Sequence, residues 1–244
     1  MQHTKDLNTS RHFRFKQFSL TDHNCAMKIG TDGVLLGSIA AKYPFQNALD
    51  IGTGCGLIAI MVAQQSNGKI DAIECDKDAA MVAEQNVLQS PWPDKILVLQ
   101  NRFQDFWRNN PKLYELIVCN PPFFHNSLKS NCGKRTMARH SDSLTAEEIL
   151  IGAKNLLSEN GNFLTIVPFL QEQYWQSTAK NFGLFCNRRI EILPRPELKP
   201  KRIVLEFTFD ENQTLSESIC IETSGRHAYS EEYRKITGDY YLNF

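Results

Sequence analysis

Ala48-Leu-Asp50-Ile-Gly52-Thr53-Gly54-Cys55-Gly56-Leu-Ile-Ala-Ile60 is the stretch whose reading decides the architecture of this chain. Its first residues read as a buried strand that closes on an acid. Three glycines at alternate positions then permit a sharp turn, and they let a ligand approach the backbone closely. From Gly56 the apolar run continues as a helix to Ala63. The next strand, residues 69–74, ends in Glu74, the position at which a ribose presents its two hydroxyls. The turn is Asp-x-Gly-x-Gly-x-Gly. It is neither the Gly-x-Gly-x-x-Gly of dinucleotide folds nor a phosphate loop ending in Gly-Lys-Ser/Thr. Asp50 disfavours a pyrophosphate and suits a cationic ligand such as the amino-acid end of S-adenosylmethionine.

Strands and helices alternate outward from this unit. Residues 78–89 predict a helix, 96–100 a strand and 113–119 another. Thr145 caps a helix to residue 157, with Glu148 three residues on completing a capping box. A strand over 161–167 and a helix over 170–181 follow. The strands 183–193 and 202–209 are separated by Pro194-Arg195-Pro-Glu-Leu-Lys199-Pro200, too short for a helical crossover, so they form an antiparallel hairpin. Upstream, Phe13 to Phe18 alternates aromatic and polar residues, the period of a half-exposed strand. Thr31 or Asp32 is expected to cap a helix over 34–41, whose start, with Lys28, offers positive charge to a carboxylate. The tail from Tyr229 to Tyr241 reads as an aromatic-rich helix docked on the body.

A second motif carries chemistry. Ile117-Val-Cys-Asn120-Pro121-Pro122-Phe123 is a buried strand stopped by two prolines, which donate no backbone hydrogen bond. The residue before a proline is pushed out of the α region, so Asn120 stands extended at the strand's end. The Asn120 amide oxygen and the Pro121 carbonyl can accept the hydrogens of an exocyclic amine while Phe123 stacks on its ring. In open α/β sheets, ligands bind beyond the carboxyl ends of the strands. Gly52–Gly56, Glu74 and Asn120–Phe123 all fall there. So do two basic stretches, one with Lys134, Arg135 and Arg139, the other with Arg195, Lys199, Lys201 and Arg202. Shared placement points to a polyanionic substrate, although 27 basic and 27 acidic residues leave the whole chain neutral.

Composition sets the frame. A chain of 244 residues, 42% apolar and 22% charged, reads as one globular domain. It shows neither a signal peptide nor an apolar run long enough for a bilayer. Seven cysteines without a Cys-x-x-Cys fit reduced thiols of the cytoplasm rather than disulfides or zinc. Cys55 as a nucleophile lacks a nearby histidine to activate it.

These residues resemble the class I S-adenosylmethionine-dependent methyltransferases, with Asp50–Gly56 as the cofactor loop. Asn120-Pro-Pro-Phe123 is similar to the signature of enzymes that methylate amino groups. Phe15-Lys-Gln-Phe18, Cys25-Ala-Met-Lys-Ile-Gly-Thr-Asp-Gly33, Leu35-Leu36-Gly37 and Tyr229-Ser-Glu-Glu-Tyr233 narrow the resemblance to the bacterial tRNA(Val) (adenine-37-N6)-methyltransferase family. It runs from about residue 13 to the C-terminus. The resemblance implies a Rossmann-like α/β fold: a seven-stranded, mostly parallel sheet with one antiparallel strand and helices on both faces. It implies one domain over 1–244, with extensions at 1–30 and 210–244. Cofactor contacts are expected from Lys28, Thr31, Asp50, Gly52, Thr53, Gly54, Gly56, Glu74, Phe103 and Asn120. Catalysis is expected from Asn120, Pro121, Pro122 and Phe123, and tRNA binding from the two basic stretches. Neither a metal nor a partner subunit is expected. Arg102 departs from the family, which often carries an acid there against the cofactor's adenine; the Phe103 N–H, or Asp105 reaching back, is left for that contact. The same Asn-Pro-Pro-Phe also serves protein glutamine N5 and ribosomal RNA guanine-N2 methylation, and a non-catalytic cofactor-binding scaffold is the reading outside enzymes.

Overall fold

The computed structural model of this chain describes residues 12–122 and 144–244. In chain order its elements are β1 (His12–Arg14), β2 (Ser19–Thr21), α1 (Thr31–Ala40), β3 (Asn47–Ile51), α2 (Leu57–Gln65), β4 (Lys69–Glu74) and α3 (Lys77–Gln89). Then come β5 (Ile96–Gln100), α4 (Phe103–Asn109), β6 (Tyr114–Cys119), α5 (Ala146–Leu156), β7 (Leu157–Pro168) and α6 (Glu172–Asn181). The chain closes with β8 (Phe185–Leu193), β9 (Arg202–Thr208), β10 (Leu215–Cys220) and α7 (Glu231–Thr237). Among the described residues no helix is long and apolar enough to cross a membrane.

The main sheet runs β5-β4-β3-β6-β7-β9-β8-β10. All neighbours are parallel except β9, which is antiparallel to both β7 and β8. The α/β class, the mostly parallel sheet and the single reversed strand are as expected. The strand count is eight rather than seven. β10 pairs in parallel with β8, from Leu215↔Arg188 to Cys220↔Leu193. Its Leu-Ser-Glu-Ser opening is exposed, and an edge strand needs no apolar alternation, so this part of the tail carries no strand signal. The reversed strand, β9, lies inside the sheet between β7 and β8. A hairpin fixes β8 beside β9 but leaves open which of the two meets β7; the six-residue pairing from Phe163↔Phe207 to Pro168↔Arg202 gives that place to β9.

Alternation along the strands feeds two cores, as helices on both faces require. Ala48, Leu116, Val118, Leu164 and Ile166 face α1, α2, α3 and the tail. Leu49, Ile51, Ile117, Cys119, Phe163 and Val167 face α4, α5 and α6. α1 and α2 are apolar on every side because each is covered from every side. Gly37 allows their close approach, since a Cβ there would stand 2.8 Å from Met61 Sδ. From outside, the tail covers α1 with the buried rings of Tyr233 and Tyr240, and the Tyr240 hydroxyl donates to the Met61 carbonyl at 3.1 Å.

Two local expectations are corrected and one helix is added. α1 starts at Thr31 with the extended Gly30 as its N-cap, and no side chain caps it; Thr31 is already helical and Asp32 turns to another partner. Residues 13–18 are not one strand: Phe13 and Arg14 belong to β1, and residues 15–18 turn the chain into β2, stacking Phe15 on Phe18 at 4.7 Å with both rings buried. α4 was not anticipated, being a single short segment with only Phe103 and Phe106 buried.

Candidate active site

Strand register alone brings the motifs together. Ile51 pairs with Ile73 of β4 and with Cys119 of β6. The residues that follow, Gly52, Glu74 and Asn120, therefore stand side by side at the ends of three adjacent strands, about 5 Å apart in the pairing direction. They border a cavity of about 570 Å³, walled on one side by residues 26–33 and on the other by residues 101–104. That volume lies within the range of small-molecule sites.

The glycine turn is built from beneath. Asp50 is 1% exposed, and its Oδ2 accepts the Thr53 hydroxyl at 2.6 Å and the Ala59 N–H at 3.2 Å. It thus ties the turn to the first residues of α2 and does not reach the cavity wall. Burial pushes its carboxyl up to about 7, against the pull of those two donors. Gly52 (φ 70°) and Gly54 (φ 58°) take the left-handed conformation that glycine permits, and a Cβ on either would project into open space. Both line the cavity, as does Thr53. Gly56 (φ 85°) lies outside it, backed against Ala83. Glu74 accepts the Gly54 N–H at 2.9 Å through one oxygen and the Asp76 N–H at 3.0 Å through the other, so the acid braces the turn while facing the cavity.

Asn120 is half-buried at the end of β6, beside the glycine turn and across it from Glu74. Its Nδ2 donates to Met27 Sδ at 3.4 Å, while its buried Oδ1 has no partner among the described residues. An amide acceptor kept out of water and unpaired is costly unless something else satisfies it. Pro122 lines the cavity and Pro121 packs behind it. Phe123, Lys134, Arg135 and Arg139 lie outside the described residues.

Lys28 and Thr31 line the cavity. The Lys28 ammonium donates to the Asp22 carbonyl at 2.8 Å, and buried Asp22 holds the Ile29 N–H at 3.1 Å, which fixes the course of this wall. Phe103, at the start of α4, forms the far wall with Arg102 and Gln104; exposed Asp105 does not line it. Burial pushes the Cys55 thiol up to about 12, which keeps it protonated and unreactive.

On the carboxyl rim, Lys199 and Lys201 are exposed on the β8–β9 loop, and Arg195 pairs with Glu197 at 3.4 Å. Arg202 instead donates to Asp32 in the first turn of α1 at 2.8 Å. Met27, Asp32 and Gln104 also line the cavity, and none of them was expected in the site from the sequence.

Comparison with known proteins agrees with this geometry. The sequence model of the family described as Methyltransferase small domain matches residues 26–186. A solved structure described as a predicted O-methyltransferase from Agrobacterium tumefaciens has a TM-score of 0.68 at 16% identity, covering 86% of this chain and 96% of that one, a likeness of fold. Proteins named tRNA1(Val) (adenine(37)-N6)-methyltransferase from Bacteroides fragilis and Bacteroides thetaiotaomicron are each 42% identical, over 94% and 95% of this chain and 97% of their own lengths. At that identity over nearly the full length of both relatives, this chain belongs to the tRNA1(Val) (adenine(37)-N6)-methyltransferase family.

Proposed function

We propose that this chain methylates N6 of adenine 37 in the anticodon loop of a valine tRNA, with S-adenosylmethionine as donor. The observation that carries the reading is the unpartnered Oδ1 of Asn120 on the wall shared with the glycine turn and Glu74. The names of the 42% identical relatives support the choice of substrate.

The residues present suit the donor. Open space above Gly52 and Gly54, where any Cβ would intrude, is room for a ligand against the backbone. Glu74 is the acceptor for the ribose hydroxyls, Phe103 the wall for the adenine, and Lys28 with the start of α1 the partner for the carboxylate. Thr31 and Thr53 add hydroxyls, while Asp50 and Gly56 act through the shape of the turn. When bound, S-adenosylmethionine supplies a methyl group on a cationic sulfur.

Asn120 and Pro121 act on the acceptor. The lone pair of an adenine amine is delocalised into the ring, which makes it a poor nucleophile. When Asn120 Oδ1 and the Pro121 carbonyl accept its two hydrogens, the nitrogen is drawn toward a pyramidal shape with its lone pair directed at the methyl carbon. That contact strengthens as the nitrogen develops positive charge, so it favours the transition state over the ground state. Pro122 stiffens the carbonyl, and Phe123 is the stacking surface for the base. Positioning of this kind is worth ~7–11 kcal/mol for well-oriented groups. An anticodon-loop base is already partly unstacked, so its extrusion costs less than from a duplex. We assign tRNA binding to Lys134, Arg135, Arg139, Arg195, Lys199, Lys201 and Arg202, and read residues 1–244 as one catalytic domain with 1–30 and 210–244 as extensions.

The test is incubation with labelled S-adenosylmethionine and, in parallel, total tRNA, ribosomes and release factors. Label is expected in tRNA as N6-methyladenine. Label in a glutamine or a ribosomal guanine would overturn the reading. Asn120→Ala is expected to lose at least a hundredfold in kcat, the scale of one lost transition-state acceptor, with donor affinity little changed.

A further inference from the structure

Met27 stands on the cavity wall with no part in the chemistry above. Its sulfur lies 3.4 Å from Asn120 Nδ2. A thioether has lone pairs and no hydrogen, so it can only accept. The two ends of a carboxamide are nearly alike in shape, and its partners alone decide which way it faces. Beside a thioether the amino end belongs at the sulfur, and the carbonyl end must turn away. Among the described residues Asn120 Oδ1 has no partner. Gly33 faces the same amide: a Cβ there would stand 3.9 Å from Asn120 Nδ2 and 3.0 Å from Leu57 Cδ2, so at this position α1 approaches the amide without a side chain to compete for it.

We propose that Met27 is a positioning residue that sets the orientation of the Asn120 carboxamide, with the oxygen presented to the reacting amine. This rests on the reading that Asn120 accepts the amine hydrogens. It explains a thioether in the Cys25–Gly33 segment at a place where any apolar side chain would fill the wall. Leucine has nearly the same volume as methionine and no lone pair. With leucine at 27 nothing distinguishes the two ends of the amide, and turning it over sets donor against donor at the adenine amine.

The experiment is Met27→Leu in the full chain, assayed on unmodified valine tRNA. A fall in kcat of about fivefold is expected, the scale of one weak hydrogen bond, with the KM values for donor and tRNA and the melting temperature unchanged. In ¹⁵N-labelled protein the Asn120 side-chain amide resonances are expected to shift relative to wild type. A kcat within twofold of wild type, or unmoved amide resonances, overturns the inference. So does a loss shared equally by donor KM and melting temperature, which marks mere packing. Full activity in Asn120→Ala defeats the underlying reading; an inactive Asn120→Ala beside an unimpaired Met27→Leu defeats this inference alone.

Discussion

Asn86 Nδ2 donates to the Cys55 carbonyl at 2.8 Å and, with the rest of the same amide, clasps Thr21, donating to its carbonyl at 2.8 Å and accepting its N–H at 3.1 Å. One buried side chain in α3 thus joins the glycine turn to the N-terminal segment that leads into Lys28 and α1. Asn86→Ala strips partners from three backbone groups at once, which costs about 1–3 kcal/mol for each group left buried and unpaired. The expected result is a lower denaturation midpoint and a several-fold weaker affinity for S-adenosylmethionine, while kcat at saturation stays near wild type. Asn86→Asp sets a buried carboxylate oxygen against the Cys55 and Thr21 carbonyls and should lower stability at least as far. Titration calorimetry beside urea unfolding checks this, and unchanged donor affinity in Asn86→Ala would show the clasp to be structural only.

Gly152 of α5 presses on the back of the cavity wall. A Cβ there would overlap the Phe103 ring and stand 2.9 Å from Trp107 Cδ1. Gly152→Ala gains helix propensity of about 1 kcal/mol yet overpacks the α4–α5 contact at about 1–3 kcal/mol. Because Phe103 lines the cavity, the displacement should reach the ligand. Donor affinity is expected to drop several-fold with a modest loss of stability, measured by calorimetry and thermal unfolding. A variant with native donor affinity would mean that α4 moves as a unit without disturbing the wall.

Asp50 makes stability depend on pH. Burial raises its carboxyl from 3.8 to about 7, with nearby Glu74 adding to the shift. Between those values the folded chain holds a proton that the unfolded chain has lost. The contribution of this group is therefore fully present below pH 4 and is lost as pH rises through 7. Asn at this position can still accept from Thr53 and Ala59 and has no proton to lose. Asp50→Asn should unfold with a flatter pH profile than wild type from pH 5 to 7.5, with a difference on the order of a few kcal/mol at most. Parallel profiles in urea unfolding would place the Asp50 carboxyl near its ordinary value.

The sequence exposed those parts of the site that local chemistry dictates. Gly52 and Gly54 are glycines because φ is positive there; Pro121 and Pro122 end a strand because they cannot donate. Each leaves a mark legible at its own position. Strand ends then carry the site to one rim, since register follows from the parallel alternation of strands and helices. Partnerships across distance were not legible. Asp32 looked like a helix cap, a role open to any acid before an apolar run, until β9 brought Arg202 against it. Arg188 and Arg189 are adjacent cations in the sequence, yet Glu217, Glu172 and Glu191 hold their guanidinium groups. β10 was hidden because an exposed edge strand has no apolar period to read.

That distinction decides which cations can still meet a phosphate. Arg188 and Arg189 are committed to carboxylates, whereas Lys199 and Lys201 are exposed on the loop beside the carboxyl rim. Their charge reversal should act on tRNA alone, because neither lines the cavity. Lys201→Glu is expected to raise the tRNA KM several-fold and leave the affinity for S-adenosylmethionine unchanged; Lys199→Glu with it should add to the effect. Each lost phosphate contact also shallows the dependence of log K on log salt by about 0.7–0.9. Arg189→Glu serves as the control: it breaks the pairs with Glu172 and Glu191 and should lower stability without altering that slope. Methylation kinetics at several salt concentrations separate the two cases. If the lysine variants keep the wild-type KM and slope while the arginine variant changes both, the RNA approaches from another side of the sheet.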